Sequence, residues 1–118
     1  MMKVFVYGTL MKGEGNHVFL DNQFCEYIGE AVTRRGYTLY DLGSFPAMVK
    51  CGNSSIIGEV YEVCSRTLEK LDYLEGHPTF YKRQQIILQD GSKVMTYLLE
   101  ESDVKECPII KSGYWKVK

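Results

Sequence analysis

IILQDGSKVMTYLL, residues 86–99, is the stretch of sequence that decides the fold. Two runs rich in β-branched and other apolar residues flank the dipeptide Asp90-Gly91. That dipeptide accepts the positive φ angles that a two-residue hairpin loop requires. The segment therefore predicts a β-hairpin with a tight turn, whose two strands pair antiparallel.

Short strand-like runs fill most of the chain before this hairpin. Val4–Tyr7 is β-branched and aromatic and ends at Gly8, and Ile56–Val63 alternates well enough for a strand. Gly58 lies inside the latter run, where a glycine marks a bulge or a close approach of another backbone. With one clear helix and one short helix near Asn16, the pattern predicts a single α+β domain over residues 1–118. Its mostly antiparallel sheet is expected to curl into a small barrel.

The clear helix lies between the early strands and the hairpin. Ser65 is a good N-cap, and Gly76 is a helix terminator. Between them, leucines at spacings of three form an apolar stripe: Leu68, Leu71 and Leu74. The spacing predicts an amphipathic helix with this stripe toward the core.

Glu75 is a charged residue on the apolar face of that helix. At about 100° per residue it lies roughly 20° from Leu68, inside the apolar stripe, whereas Glu69 points outward. Burial raises the pKa of a carboxylate toward the range in which it can take and return a proton near neutral pH. Glu75 is therefore a candidate general acid/base. The alternative is that it bends back to water or pairs with Lys82 or Arg83.

The end of the first strand is a second candidate site. Tyr7-Gly8-Thr9-Leu10 can present consecutive backbone N–H donors and one hydroxyl to a small anionic group. The alternative is an ordinary strand end followed by a turn. A phosphate-binding loop is excluded because Glu14-Gly15 stands where Lys and Ser or Thr are needed.

Tyr81 is a weaker candidate for substrate binding. It opens the segment Tyr81-Lys82-Arg83, which could anchor an anionic substrate. Charged residues that open a strand are more often a solvated edge. Nine tyrosines can line a pocket or simply fill core positions.

Charge and hydropathy exclude several classes of partner. Fourteen Lys and Arg against fifteen Asp and Glu give a net charge of -1, without the basic excess that binds nucleic acid backbones. No apolar run reaches the roughly 18 residues of a membrane span, and no signal-peptide core follows Met1. We expect a cytoplasmic protein that binds neither nucleic acid nor membrane.

The spacing of the cysteines is consistent with a cytoplasmic protein. They are irregularly spaced, without a CxxC pair, and only two histidines could complete a metal set. We therefore expect reduced thiols, no metal site and no catalytic cysteine among the four: Cys25, Cys51, Cys64 and Cys107.

Taken together, these residues resemble the γ-glutamylcyclotransferase family over almost the whole chain. The matching segments are, in order, Val6–Leu10, Asn16-His17, Gly36–Asp41, Phe45–Ala47, Gly58–Tyr61, Leu71–Gly76, Tyr81–Arg83 and Gly113–Trp115. The resemblance implies a small β-barrel flanked by helices. It also implies that Tyr7–Leu10 forms the substrate loop and that Glu75 stands at the general acid/base position. One departure is Tyr114, where relatives often carry an acidic residue.

The resemblance implies a reaction that needs no cofactor. The α-amine of a γ-glutamyl amine or amino acid closes on its own γ-carbonyl, giving 5-oxoproline and the free amine. Glu75 would transfer the protons, while Tyr7, Gly8, Thr9, Leu10 and Tyr81 would bind the substrate. Two alternatives stay open: removal of a γ-glutamyl protecting group from a metabolite by the same ring closure, and a non-catalytic member that binds a small ligand or a protein.

Overall fold

Seven β-strands form one mixed sheet, and one α-helix follows the fifth strand in the computed structural model, which describes all 118 residues. The strands are β1 (Met2–Val6), β2 (Cys25–Val32), β3 (Tyr37–Asp41), β4 (Pro46–Ser54), β5 (Ile57–Val63), β6 (Lys82–Ile87) and β7 (Lys93–Leu99). The helix, α1, is Ser65–Glu75, and three single-turn 3₁₀ helices cover His17–Phe19, Glu101–Asp103 and Trp115–Val117.

The sheet has the order β2-β5-β1-β7-β4-β3, with β6 paired to β7 outside this path. Four strand pairs are antiparallel, while β1–β7 and β4–β7 are parallel. The predicted α+β class and mostly antiparallel sheet are therefore confirmed. The sheet is not closed by strand pairing, because only an isolated bridge between Thr33 and Leu88 joins the ends of β2 and β6. The expected small barrel is thus a loose description of a sheet with open edges.

The hairpin is confirmed, but its loop is longer than predicted. β6 and β7 pair in register, with Ile86 opposite Val94. The backbone N–H of Leu88 donates to Ser92 O at 2.9 Å, so three residues and not two form the loop. Gly91 closes it with a φ of 90°, as in the three-residue hairpins that place glycine in the left-handed region.

The core is centred on β1, whose last three residues, Val4–Val6, are all buried. Gly58 of β5 lies directly against this strand. A Cβ at Gly58 would collide with the carbonyl oxygen of Val6 and lie 2.8 Å from Cζ of Phe5. The close backbone approach predicted at Gly58 is therefore present.

Helix α1 brings its C-terminal end to the sheet. Its N-cap is Cys64, which makes no side-chain capping bond, so the prediction of Ser65 as the cap was wrong by one residue. Gly76 ends the helix as predicted, with a φ of 70° and its N–H directed to the carbonyls of the last turn. Leu68 and Leu71 are buried, which leaves Glu75 at the last helical position on the core side.

All four cysteines are free thiols, and Cys51 is exposed. None of the helices combines the length and the apolar character needed to cross a lipid bilayer.

Candidate active site

A cavity of about 330 Å³ opens where the end of β1 meets the end of α1. Its lining contains all six residues that the sequence singled out: Glu75, Tyr7, Gly8, Thr9, Leu10 and Tyr81. They come from three segments: the end of α1, the segment before β6, and the loop that follows β1, which we call the β1 loop (residues 7–16). The fold thus brings together residues that lie far apart in the sequence.

Glu75 carries a carboxylate without any partner in the protein. Glu75 is half-buried, and its side-chain carboxylate forms neither a hydrogen bond nor an ion pair. The predicted alternative, pairing with Lys82 or Arg83, does not occur, because Arg83 binds Asp72 instead. Burial raises the pKa of the Glu75 carboxyl to about 7, so both of its protonation states are populated near neutral pH.

The β1 loop leaves three consecutive backbone donors free. The N–H groups of Gly8, Thr9 and Leu10 make no hydrogen bond within the protein. Their carbonyl groups are used instead: Gly8 O accepts from Met11 N at 3.1 Å, and Thr9 O accepts from Asn16 N at 2.9 Å. This part of the loop is therefore held through its acceptors, and the N–H groups of Gly8, Thr9 and Leu10 remain available to an anionic group of a ligand.

Two polar side chains support this loop. Asn16 Nδ2 donates to Thr9 Oγ1 at 3.0 Å, and His17 Nδ1 lies 2.9 Å from the carbonyl oxygen of Leu10, to which it donates. Asn16 also lines the cavity. Residue chemistry alone gave no reason to choose Asn16, although it falls within one of the segments that carry the family resemblance.

The tyrosine hydroxyls are used inside the protein. Tyr7 donates to the carbonyl of Tyr97 at 2.6 Å and accepts from Met48 N at 3.1 Å. Tyr81 donates to the carbonyl of Pro46 at 2.6 Å. Burial raises the pKa of both phenols above the usual range, so both stay protonated. Their rings line the cavity, while their hydroxyls fix the strands around it.

An apolar wall makes up the rest of the cavity, and sequence reasoning missed it. Phe45 and Phe80 meet edge to face at 6.3 Å between ring centroids, and Phe80 meets Tyr81 at 5.0 Å. Leu74 and Pro46 extend this wall. The high aromatic content was the available signal, but it was interpreted only through the tyrosines.

Glu75 is the one acidic or basic side chain in the cavity lining. Lys82 and Arg83 do not contribute to it, so the predicted anchoring of an anion by that basic pair is absent from the cavity. Gly8, Thr9 and Leu10, whose backbone N–H groups are free, line the same cavity as Glu75. One free carboxyl and unpaired backbone donors in a single cavity suit proton transfer next to a developing negative charge.

The fold is similar to that of solved AIG2-like proteins. A solved aig2-like protein from Mus musculus superposes with a TM-score of 0.81 at 27% identity, over 92% of this chain and 85% of that one. An uncharacterized protein from Pyrococcus horikoshii gives a TM-score of 0.79 at 30% identity, over 98% and 91% of the two chains.

Residues 4–117 match the family model described as gamma-glutamyl cyclotransferase, AIG2-like, and the chain belongs to this family. A curated relative from Vibrio cholerae, provisionally named a gamma-glutamylcyclotransferase, is 42% identical over 112 residues, which are 95% of this chain and 93% of the relative. The family protein YtfP of Escherichia coli is 35% identical over 114 residues, 97% and 96% of the two chains. Membership supports an enzyme of the γ-glutamylcyclotransferase type.

Proposed function

We propose that this protein converts γ-glutamyl amines or γ-glutamyl amino acids into 5-oxoproline and the free amine. The observation that carries the proposal is the unpartnered carboxyl of Glu75, with its pKa raised to about 7, in the same cavity as three free backbone donors. Family membership supports the same reaction class.

The reaction uses a nucleophile that the substrate carries. The α-nitrogen attacks the γ-carbonyl carbon, which forms the new C–N bond of a five-membered ring and places negative charge on the γ-oxygen. The bond to the leaving nitrogen then breaks as the carbonyl reforms. Glu75 takes a proton from the α-ammonium group, which frees the nucleophile, and returns it to the leaving nitrogen as the C–N bond breaks. The α-nitrogen loses a second proton to solvent when the lactam forms, and the released amine takes one up from solvent, so protons balance and no cofactor is consumed.

The donors of the β1 loop would hold the negative charges of the substrate. The N–H groups of Gly8, Thr9 and Leu10 can bind the α-carboxylate or the oxyanion formed at the γ-carbon. Since these donors are fixed by the backbone, they need no rearrangement during the reaction. Holding the glutamyl chain folded also brings the α-nitrogen near the γ-carbonyl, which contributes much of the rate enhancement.

The apolar wall would receive the leaving amine. Phe45 and Phe80 offer ring surface but no hydrogen-bonding side-chain group, so they discriminate mainly by bulk. Differences in apolar bulk are worth about 10- to 200-fold, whereas loss of a group that a site is built to hydrogen-bond costs up to about 10⁴-fold. We therefore expect strict recognition of the γ-glutamyl half and looser recognition of the amine.

A panel of substrates tests the proposal. Purified protein is incubated with γ-glutamylamines, γ-glutamyl amino acids and glutathione, and 5-oxoproline is measured. We expect its release from at least one γ-glutamyl compound in equal amount to the free amine. Binding of these compounds without 5-oxoproline release would indicate the non-catalytic alternative.

The pH profile reports on Glu75. As the base, Glu75 must be deprotonated before ring closure, so kcat/KM should fall about tenfold for each pH unit below about 7. The measurement is the initial rate of 5-oxoproline release between pH 5 and pH 8, with circular dichroism at each pH to verify that the protein is folded. A rate that stays constant down to pH 5 would contradict this role.

Gly8→Ala should weaken substrate binding. A Cβ at Gly8 would lie 2.7 Å from both Cγ and Cδ of Pro46, and a proline ring cannot move aside as a flexible side chain does. The β1 loop must then shift, so we expect KM to rise by about tenfold or more. Gly15→Ala is the matched control, because nothing lies within 4 Å of a Cβ there. Equal kinetics for the two variants would contradict the expected role of Gly8.

A further inference from the structure

A second polar cluster lies at the middle of the β1 loop, around Lys12 and outside the cavity. At its centre is Glu59 of β5, which is only 6% exposed. Its Oε1 accepts the backbone N–H of Lys12 at 3.0 Å and the hydroxyl of Tyr61 at 2.9 Å. The buried carboxylate of Glu59 thus binds a backbone N–H group of the loop, although moving a charged group out of water costs free energy.

Lys116 completes this cluster from the C-terminal 3₁₀ helix. Its Nζ donates to the backbone carbonyl of Lys12 at 2.5 Å and lies 4.0 Å from Oε2 of Glu59. Both backbone polar groups of Lys12 are therefore held by side chains of opposite charge, and these two side chains also attract each other. The arrangement forms a closed ring of contacts around one residue of the loop.

The C-terminal segment that carries Lys116 is itself fixed. The backbone carbonyl of Gly113 accepts from Ile57 N at 2.9 Å, which ties the segment to β5. Trp115 is buried, and its Nε1 donates to Oε1 of Glu14 at 2.8 Å, which gives the β1 loop a second external contact. The segment thus connects the central sheet to the loop.

We propose that Glu59 and Lys116 are positioning residues, which hold the β1 loop so that the donors of Gly8–Leu10 converge in the cavity. Neither residue lines the cavity, so any effect on substrate must pass through the loop. Inside the loop, the backbone bond from Met11 N to Gly8 O closes a tight turn, and the bond from Asn16 N to Thr9 O joins the two ends of the loop. Glu59 and Lys116 hold Lys12, which lies between these ends, from outside the loop. This inference rests on the proposed function for its kinetic readout.

The test is Lys116→Met in the full chain. The proposal takes the α-carboxylate as the group that the donors of Gly8–Leu10 bind. Because such a contact is made equally in the ground and transition states, we expect KM for a γ-glutamyl substrate to rise about tenfold while kcat stays within about twofold. The inhibition constant of 5-oxoproline, which keeps that carboxylate, should rise by the same factor. Lys116→Arg should restore most of the binding. Lys111→Met is the control, since Lys111 is exposed in the same segment and has no ion pair.

Glu59→Gln provides a second variant that keeps an oxygen acceptor for Lys12 N–H but removes the charge that faces Lys116. We expect KM to rise in this variant as well, but by a smaller factor than in Lys116→Met. For both variants, amide hydrogen exchange of Lys12 is measured by NMR, and it should become faster than in the natural protein. Unchanged KM in Lys116→Met, or a fall in kcat alone, would overturn the proposal.

The exchange measurement also separates this proposal from the proposed function. If the natural protein releases no 5-oxoproline from any γ-glutamyl compound, the proposed function fails. The amide exchange rate of Lys12 in the two variants then decides whether Glu59 and Lys116 restrain the loop. If the natural protein is active and Lys116→Met matches it in KM and in exchange, the positioning role alone fails.

Discussion

Glu75→Gln is expected to lower kcat for 5-oxoproline release by at least about 100-fold. The amide can neither take the proton from the α-ammonium group nor return one to the leaving nitrogen. Its shape is nearly that of the carboxyl, so the cavity and the β1 loop should keep their geometry. The measurement is the steady-state rate at pH 8, where the natural carboxyl is mostly deprotonated.

Stability separates a catalytic effect from a folding defect. The folded-state pKa of Glu75 is raised, so the carboxyl destabilises the folded state increasingly as the pH rises from its ordinary range to about 7. Glu75→Gln should therefore melt at the same temperature as the natural protein, or slightly higher, at pH 8. Glu69→Gln, on the exposed side of the same helix, should change neither rate nor stability. Near-natural activity of Glu75→Gln would contradict the mechanism.

Acetylation of the α-amine of the substrate should abolish the reaction. The acetylated nitrogen is a poor nucleophile and no longer carries an ammonium proton for Glu75 to remove, so ring closure is lost. We expect no release of amine above the uncatalysed background. Changing the leaving amine of an unblocked substrate should alter the rate more gently, by about 10- to 200-fold for differences in apolar bulk.

A hydrolytic reaction would behave differently. Attack by water would release the amine from the acetylated compound and give glutamate from the unblocked one. The assay therefore measures amine, glutamate and 5-oxoproline together, with and without a chelator of divalent ions. Amine release from the acetylated compound would show that ring closure by the substrate's own amine is not the reaction. Loss of activity with chelator would contradict a reaction that needs no metal ion.

Local sequence patterns predicted much of the fold and part of the candidate site. Asp90-Gly91 predicted the hairpin because the backbone conformation of a tight turn depends on the few residues that form it. Leucine spacing placed Glu75 on the core side of α1 for a similar reason, since helical periodicity is a local property. The three-residue loop was missed because both loop lengths accept a glycine with positive φ.

Contacts between residues far apart in the chain could not be predicted from the sequence. The parallel pairing of β1 with β7, the apolar wall formed by Phe45 and Phe80, and the approach of Lys116 to Lys12 depend on how the whole chain folds. No periodicity or short motif encodes these contacts. Glu59 shows the same limit, since one acidic residue in an alternating strand gives no sign that it will be buried against a loop 47 positions away.

The pairing of β1 with β7 has a consequence for how the protein acquires activity. It places Val4 beside Met95, and the hydroxyl of Tyr7 reaches the carbonyl of Tyr97 across 90 positions of the chain. Closing such a long loop costs more conformational entropy than forming the β6–β7 hairpin, so we expect the hairpin to form before the central pairing. The cavity wall that contains Tyr7 and Tyr97 would then be assembled in the later step. During refolding, catalytic competence should therefore return after most secondary structure has already formed.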